Sequence, residues 1–371
     1  MTAPMTTMAD HLRDRMSDQG PLTLAQFMED ALTHPRLGYY MGRDPFGRGG
    51  DFITAPEISQ MFGELIGLWC VVQWQAMGSP DPVNLVELGP GRGTMMADVL
   101  RTGRGAEGFL ESLDVSLVEI SPALKSLQED TLVSTPAVHA ARSLNWWSDF
   151  SEIPEGPLVA VANEFIDALP VHQFQMTPTG WRERLVGPGE GGFRFVLADG
   201  PPPEGVIPPA VENAVDNAGE GAIIEVRPRA TALAQALAGR LSRNPGAVLI
   251  IDYGHGEGAA GDTFQAVKGH EYQDPFKDPG EADLTAHVDF AEFGRAAQAA
   301  GARVLGPMTQ GAFLLELGIE ARAQALMKAA PEHQQEIDQS FHRLTADDGM
   351  GRLFKVLALT SPGLPPPPGF E

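Results

Sequence analysis

Residues 83–94 read VNLVELGPGRGT, and this stretch decides how the rest of the chain is interpreted. The apolar run 83–88 predicts a β-strand, and the segment after the stretch predicts a helix. Between them, Gly89, Gly91 and Gly93 predict a turn, because residues without a Cβ permit unusual backbone angles and close approach of a ligand. A strand, a glycine turn and a helix N-terminus together begin a Rossmann-like unit, whose unpaired N–H groups face a polar ligand.

The spacing of the glycines narrows the choice of ligand. A dinucleotide-binding turn has the pattern G-x-G-x-x-G/A, but this chain has Thr94 at the last position, and the Gly-Lys-Ser/Thr of a P-loop does not follow. Glu87 would repel a pyrophosphate, whereas it would attract the ammonium and sulfonium groups of S-adenosylmethionine (SAM). We therefore predict a SAM site, with NAD or FAD binding and a purely structural turn as the alternatives.

Composition and charge exclude several classes of function. Of the 371 residues, 43% are hydrophobic and 20% are charged, which is typical of a soluble globular protein. The formal charge of −23 argues against a nucleic-acid partner and would attract a basic peptide. The single Cys70 excludes an internal disulfide and a cysteine zinc cluster. Since the sequence lacks a long apolar run and an apolar signal core, we expect a cytoplasmic protein without membrane insertion.

Strands and helices alternate after residue 81, which predicts an α/β fold with a doubly wound parallel sheet as its core, residues 81–360. Strands are predicted at 83–88, 114–120, near 137–140, 157–164, 246–253, 302–307 and 352–360.

Further segments surround this core. Residues 1–80 predict an N-terminal helical segment that could act as a lid, and Thr54 to Glu57 resembles a capping box that opens a long helix. Residues 172–228 alternate apolar and polar residues with turn signals, which predicts a β-rich insertion. Residues 261–345 predict an additional loop and helices, and 361–371 predict a flexible tail.

Polar residues at the strand ends are the candidates for ligand binding, because ligands of such sheets lie beyond the carboxyl ends of the strands. Glu119 could accept hydrogen bonds from both ribose hydroxyls of an adenosyl group, or it could cap the helix that Ser121 and Pro122 begin. Near the third strand end, Leu144, Asn145 and two tryptophans could contact the adenine or could belong to the core.

Asn163, Glu164 and Asp167 follow the fourth strand and could serve a methyl acceptor. Methyl transfer is an in-line displacement that holds a nucleophile about 3 Å from the methyl carbon. For an arginine nitrogen, carboxylates would fix the guanidinium and help to remove its proton. We predict these three residues to be catalytic, with a helix-dipole role as the alternative. The pair His287 and Asp289 has the spacing of metal ligands, but without a second motif we predict no metal site.

Nine motifs together resemble the MidA-like family of SAM-dependent methyltransferases, also known as mitochondrial complex I assembly factor 7. In chain order they are HPRLGYY, GDFITAPEISQMFGE, VELGPGRGT, VEISPALKSLQ, ANEFIDALPVHQF, GWRERLV, LIIDYG, HVDF and MGRLFKVLAL. The resemblance implies a class I Rossmann-like core of seven strands, with SAM as cofactor and S-adenosylhomocysteine as product. It implies cofactor contacts by Glu87, Gly89, Gly91, Gly93 and Glu119, and an acceptor site bordered by Asn163, Glu164 and Asp167.

The same resemblance implies an activity. In mitochondrial members it implies symmetric dimethylation of an arginine on a subunit of respiratory complex I, and this sequence looks like a bacterial, cytoplasmic member. We therefore expect a protein arginine N-methyltransferase with a protein substrate. An assembly chaperone that has kept the SAM fold and a small-molecule methyltransferase are the alternatives. The sequence predicts no particular oligomeric state.

Overall fold

The computed structural model describes residues 7–370 except 43, 46, 48, 49, 210, 212–218 and 259. Parts of the predicted N-terminal segment, insertion and tail therefore lie outside the described residues. The α-helices of the described residues are α1 (Met8–Gln19), α2 (Leu24–Thr33), α3 (Ala55–Ile58), α4 (Gln60–Ala76), α5 (Thr94–Gly103), α6 (Phe109–Ser112), α7 (Pro122–Val133), α8 (Pro228–Leu241), α9 (Phe290–Ala299), α10 (Gln310–Glu316), α11 (Ile319–Ala329), α12 (Gln334–Thr345) and α13 (Met350–Leu353).

The β-strands of the described residues form three sheets. They are β1 (Leu22–Thr23), β2 (Val83–Leu88), β3 (Leu113–Val118), β4 (Ser143–Trp147), β5 (Leu158–Asn163), β6 (His172–Thr177), β7 (Gly180–Gly189), β8 (Gly192–Leu197), β9 (Ile223–Val226), β10 (Gly246–His255), β11 (Gln265–Lys268), β12 (Glu271–Gln273), β13 (Asp283–Thr285), β14 (Val288–Asp289), β15 (Arg303–Thr309) and β16 (Phe354–Thr360).

The central sheet has seven strands in the order β15-β16-β10-β5-β2-β3-β4, and the short β14 pairs with β10. Strands β4, β3, β2, β5 and β10 are parallel, whereas β16 runs antiparallel to both of its neighbours. β2 lies between β3 and β5, so the strand order reverses next to the glycine turn. A ligand crevice is expected at such a reversal. The predicted α/β fold with a Rossmann-like seven-stranded sheet is confirmed.

Helices cover both faces of this sheet. On one face α4, α5 and α10 pack against side chains such as Leu249 and Ile251, and on the other α8 and α9 pack against Val248 and Ile250. Because both faces are covered, all six residues of β2 are buried, which explains the apolar run in the sequence. Within the described residues, every helix is too short or too polar to cross a bilayer.

Two local predictions were wrong. Residues 136–140 form a 3₁₀ helix that starts at Pro136, where the missing N–H is tolerated, and the strand predicted there lies later, at β4. The capping box at Thr54 does not form, because the threonine side chain makes no capping bond and the carboxylate of Glu57 turns towards Thr94. The chain is extended at Ser59 (φ −160°, ψ 139°), so two helices replace the single long helix.

Two smaller sheets flank the core. β6 to β9 lie within the region predicted as a β-rich insertion and pair with β1 in the order β1-β7-β6-β9, with β8 on β7. The region 261–345, predicted as a loop with helices, also contains the small sheet β12-β11-β13.

The segment predicted as a flexible tail packs on the core instead, since the ring of Phe370 lies 5.6 Å from that of Phe313 and Arg303 donates to the carbonyl of Leu364.

Candidate functional site

A cavity of about 910 Å³ lies beyond the carboxyl ends of the central strands. Gly91, Glu119, Glu164 and Asp167 all line it. A described residue of the N-terminal loop, Tyr40, also lines it. The structure therefore brings five of the predicted site residues to one cavity, namely Gly89, Gly91, Glu119, Glu164 and Asp167.

The glycine turn has the backbone conformation that only glycine adopts easily. The φ angles of Gly89, Gly91 and Gly93 are 64°, 53° and 79°, which lie in the left-handed region. A Cβ at Gly89 would lie 2.6 Å from the ring of Phe165, so the turn also needs a small residue for packing. Gly89 and Gly91 line the large cavity, whereas Gly93 is the N-cap of α5 behind it.

Gln128, for which no role was predicted, connects the glycine turn to the second strand end. Its buried side-chain amide donates to the carbonyl of Gly91 (2.8 Å) and to Oε2 of Glu119 (3.1 Å), and its Oε1 accepts from Trp146. Oε1 of Glu119 accepts from the backbone N–H of Ser121 (2.7 Å), so Glu119 also meets the start of α7. Burial raises the pKa of Glu119. A glutamine within an amphipathic helix looks like a surface residue, so no sequence signal identified it.

The structure does not bring Leu144 and Asn145 to the cavity. Both lie inside β4, where Asn145 Nδ2 donates to Ser143 Oγ (2.9 Å). The segment after the strand lines the cavity instead, with Asp149 and Phe150 among its residues. Leu144 and Asn145 are thus absent from the lining of this cavity, and their contact with an adenine stays a prediction.

Glu87 faces a second, smaller cavity of about 40 Å³, which shares Gly89, Gly91 and Glu164 with the large one. Glu87 is 3% exposed, and its Oε2 atom has no hydrogen-bond partner in the described structure. Burial raises the pKa of Glu87 to about 8. A buried carboxylate with an unpaired oxygen beside a glycine turn suits a ligand that carries an ammonium group, as SAM does. The residues at this place are therefore compatible with that cofactor.

This burial predicts a pH-dependent stability. The pKa of Glu87 rises from the usual 4.5 to about 8 on folding, so the stability that its protonated form contributes is complete below pH 4.5 and is lost as the pH rises through 8. We expect Glu87→Gln to raise the midpoint of thermal unfolding relative to wild type by more at pH 9 than at pH 6, measured without cofactor. The exposed Glu155→Gln is the control and should show no such increase. A Glu87→Gln effect that is the same at both pH values would contradict the raised pKa.

Glu164 is held by the N-terminal segment. Its Oε1 atom accepts hydrogen bonds from the backbone N–H of Ala55 (3.1 Å) and from Nδ2 of Asn163 (3.2 Å). The residue has a φ angle of 49°, which is uncommon for a side chain of this size and is often found at functional sites. Burial, together with the charge of Asp167, raises the pKa of Glu164 to about 8. Asn163 lines the smaller cavity, and its Oδ1 atom has no hydrogen-bond partner in the described structure.

Asp167 is oriented by residues at the end of β10. The hydroxyl of Tyr253 donates to Oδ2 of Asp167 at 2.5 Å, whereas the buried Oδ1 atom lacks a partner among the described residues. Asp252 accepts from the backbone N–H groups of Ile166 (2.9 Å) and Asp167 (3.2 Å) and so fixes the turn. Burial raises the pKa of both carboxyl groups. Asp252 thus holds the backbone of the turn that carries Asp167, and Asp167 has a carboxyl oxygen, free of partners within the described residues, that a ligand in the cavity could bond.

Asp283 adds a carboxyl group that the sequence analysis did not place in the acceptor site. Tyr40 donates its hydroxyl to Oδ1 of Asp283 (2.6 Å), and its carbonyl accepts from Ser121 Oγ (2.6 Å). Tyr40 thereby links the cofactor side of the cavity to the acceptor side. Burial and the charge of Asp167 raise the pKa of Asp283 to about 7. Nearby Asp289 caps α9 by accepting from the N–H of Glu292 (2.9 Å).

Ion pairs join the N-terminal loop to the glycine turn. The guanidinium of Arg92 donates to both carboxylate oxygens of Asp44 (2.7–3.1 Å) and reaches Glu57 at 3.5 Å. Glu57 also accepts from the hydroxyl of Thr94 (2.5 Å). Because these side chains are partly exposed, each pair contributes little to stability, but together they hold the loop against the turn.

Known proteins are similar to this chain in sequence and fold. A family model described as S-adenosyl-L-methionine-dependent methyltransferase matches residues 65–308. Proteins named "Protein arginine methyltransferase NDUFAF7, mitochondrial" are 38% identical to the chain in Danio rerio (94% of this chain, 86% of that protein) and 38% in Homo sapiens (96% and 84%). A crystal structure from Burkholderia thailandensis, bound to S-adenosyl-homocysteine, matches with a TM-score of 0.85 and 30% identity, covering 98% of this chain and 93% of that one.

Proposed function

We propose that a protein arginine is the methyl acceptor of this chain, which belongs to the family of S-adenosyl-L-methionine-dependent methyltransferases. The chain is thus an enzyme with SAM as its cofactor. The observation that carries the arginine proposal is the set of three carboxyl groups that line the cavity, namely Glu164, Asp167 and Asp283, of which Asp167 and Asp283 are buried. Carboxylates in a site sheltered from water suit a guanidinium cation, and the names of the relatives agree with this acceptor.

The cofactor side has a proposed division of roles. SAM supplies an electrophilic methyl group on a sulfonium when it is bound. We assign the ammonium of the cofactor to Glu87, its close backbone contacts to Gly89, Gly91 and Gly93, and its ribose hydroxyls to Glu119. Gln128 would position Glu119 and the turn together, since it donates to both.

On the acceptor side the carboxylates would hold and deprotonate the guanidinium. Transfer forms a bond between an arginine nitrogen and the methyl carbon, breaks the bond from that carbon to sulfur, and releases one proton. Glu164 and Asp167 would bind the N–H groups and draw positive charge away from the attacking nitrogen. Because the pKa of Glu164 is raised to about 8, its carboxylate is a suitable acceptor for the released proton near neutral pH.

The finer assignments rest on the resemblance of the motifs. We propose a subunit of respiratory complex I or a related protein as the substrate, symmetric dimethylation as the modification, and the bacterial cytoplasm as the location. We also propose that residues 1–80 act as a lid. The bonds from Ala55 to Glu164 and from Tyr40 to Asp283 support this proposal, because they join described residues of this segment to residues that line the cavity.

The proposed function can be tested with purified protein, methyl-tritiated SAM and an extract of cells that lack the enzyme. We expect label in a protein band and methylated arginine after acid hydrolysis, with isothermal titration giving the affinity for SAM. SAM binding without labelled protein would contradict the proposal and favour an assembly role. Label in small molecules would favour the small-molecule alternative.

A further inference from the structure

Exposed apolar side chains concentrate at the mouth of the large cavity. Seven large apolar side chains are exposed among the described residues, and three of them line this cavity: Ile120, Tyr272 and Leu353. Ile120 follows Glu119 and lies on the cofactor side. Tyr272 is 77% exposed and Leu353 is 45% exposed, and both lie on the acceptor side. Apolar side chains beside a site and open to solvent suit a binding surface.

Tyr272 is connected to the acceptor carboxylates by the small sheet. Val267 of β11 pairs with Tyr272 of β12 on one side and with Asp283 of β13 on the other. Directly paired residues project from the same face of a sheet, and all three line the cavity. Since neighbouring strands lie about 4.8 Å apart, the backbone of Tyr272 lies about 10 Å from that of Asp283. One row of side chains thus leads from the exposed tyrosine to the buried acid.

Leu353 also lines the cavity and is linked to Asp167 through two aromatic residues. It precedes Phe354, whose ring is 5.4 Å from that of Tyr253, and the Tyr253 hydroxyl donates to Asp167. The exposed leucine is therefore at the outer end of a second set of contacts that leads to an acceptor carboxylate.

We propose that Tyr272 and Leu353 form a docking surface for apolar residues that flank the acceptor arginine in an extended segment of the protein substrate. The proposal rests on the proposed function. An extended arginine side chain would hold its guanidinium about 7 Å from the substrate backbone, which is comparable to the separation of about 10 Å between the backbones of Asp283 and Tyr272.

The distribution of charged side chains around the cavity favours a substrate in which the residues that flank the arginine are apolar rather than basic. Two buried carboxyl groups that complement an arginine, Asp167 and Asp283, line the cavity. Exposed charged side chains also line it, but Arg229 and Glu29 form an ion pair with each other, and Asp149 accepts hydrogen bonds from Ser151. Apolar flanking residues would gain by covering the exposed tyrosine and leucine, because that contact removes apolar surface from water.

Two synthetic peptides test the surface with the full-length enzyme and SAM. In one the central arginine has two leucines on each side, and in the other these positions are glycine and serine. We expect a KM on the order of tenfold lower for the leucine peptide at similar kcat. Binding of both peptides is also measured by fluorescence anisotropy in the presence of S-adenosylhomocysteine, which reports docking without turnover.

Substitutions test whether Tyr272 and Leu353 cause the difference in KM between the two peptides. Tyr272→Ser and Leu353→Ala should each raise KM or Kd for the leucine peptide on the order of tenfold, with little change for the glycine-serine peptide. Tyr272→Phe should retain most of the affinity. Leu197→Ala is the matched control, since Leu197 is a similarly exposed leucine (42%) that does not line the cavity, and it should change nothing.

The outcomes separate this proposal from the proposed function. Methylation of both peptides with equal KM, or variants that affect both peptides alike, would overturn the docking surface and leave the arginine activity standing. Binding of the leucine peptide that depends on Tyr272 and Leu353 but gives no methylation would support the surface and overturn the activity. Failure to bind either peptide would overturn the docking surface.

Discussion

Gly91→Val is expected to abolish measurable SAM binding, the largest effect of any single substitution considered. Gly91 has a φ angle of 53°, and a β-branched residue in this left-handed region costs about 1–2 kcal/mol or more. The valine side chain would also enter the wall of the cavity, and a shift of the backbone would disturb the bond from Gln128 to the Gly91 carbonyl. Isothermal titration with SAM should give no detectable heat of binding.

A matched glycine separates binding from folding. Gly191 has a φ angle of 82° in the turn between β7 and β8, where an added Cβ would meet no atom within 4 Å. Gly191→Val should therefore suffer similar backbone strain and still bind SAM with wild-type affinity. Equal affinity for SAM in Gly91→Val and wild type would refute the cofactor site proposed at the turn.

Glu164→Gln is expected to keep SAM affinity and to lower methyl transfer by a factor on the order of 10²–10⁴. Glutamine can still accept the hydrogen bond from the N–H of Ala55, so the N-terminal segment should stay in place. The substitution removes the charge that would hold the guanidinium and accept its proton. Initial rates of methyl transfer to an unmethylated arginine peptide, together with titration of SAM, provide both measurements.

The pH dependence gives a second readout for the same residue. The pKa of Glu164 is about 8 in the free enzyme, so its carboxylate form increases as the pH rises from 6 to 9. Since that form binds the acceptor cation, kcat/KM of the wild type should rise over this range, and the rise should be shallower in Glu164→Gln. Glu155→Gln, which changes an exposed carboxylate, should keep the wild-type profile. Parallel losses of SAM affinity and transfer would instead assign Glu164 a structural role.

Much of the fold was predictable because local patterns carry it. The order of apolar runs and glycines was enough to predict most of the central strands. The comparisons with known proteins confirm the family resemblance, the methyltransferase class and SAM as cofactor. Glu164 and Asp167 could be singled out because strand ends of parallel sheets meet at one edge. The roles of individual site residues are still predictions.

The missed features depend on contacts between distant parts of the chain. β4 is an edge strand with half-buried residues, so its sequence lacks the apolar run that marked the other strands. Gln128 and Asp283 reach their hydrogen-bond partners only when α7 and β13 pack beside the cavity. A local sequence pattern does not predict either of these long-range contacts. Glu57 lost its capping role because Thr94 and Arg92, which are remote in sequence, compete for its carboxylate.

Contacts of the N-terminal loop connect the two halves of the site, so the proposed lid would act on both of them. Tyr40 bonds both to Ser121 beside the cofactor residues and to Asp283 beside the acceptor, while Ala55 bonds to Glu164. A movement of this segment that lets spent cofactor leave would therefore also loosen the acceptor carboxylates. Successive methylations of one arginine would then be distributive, with the singly methylated protein released and rebound between transfers rather than processed in one encounter.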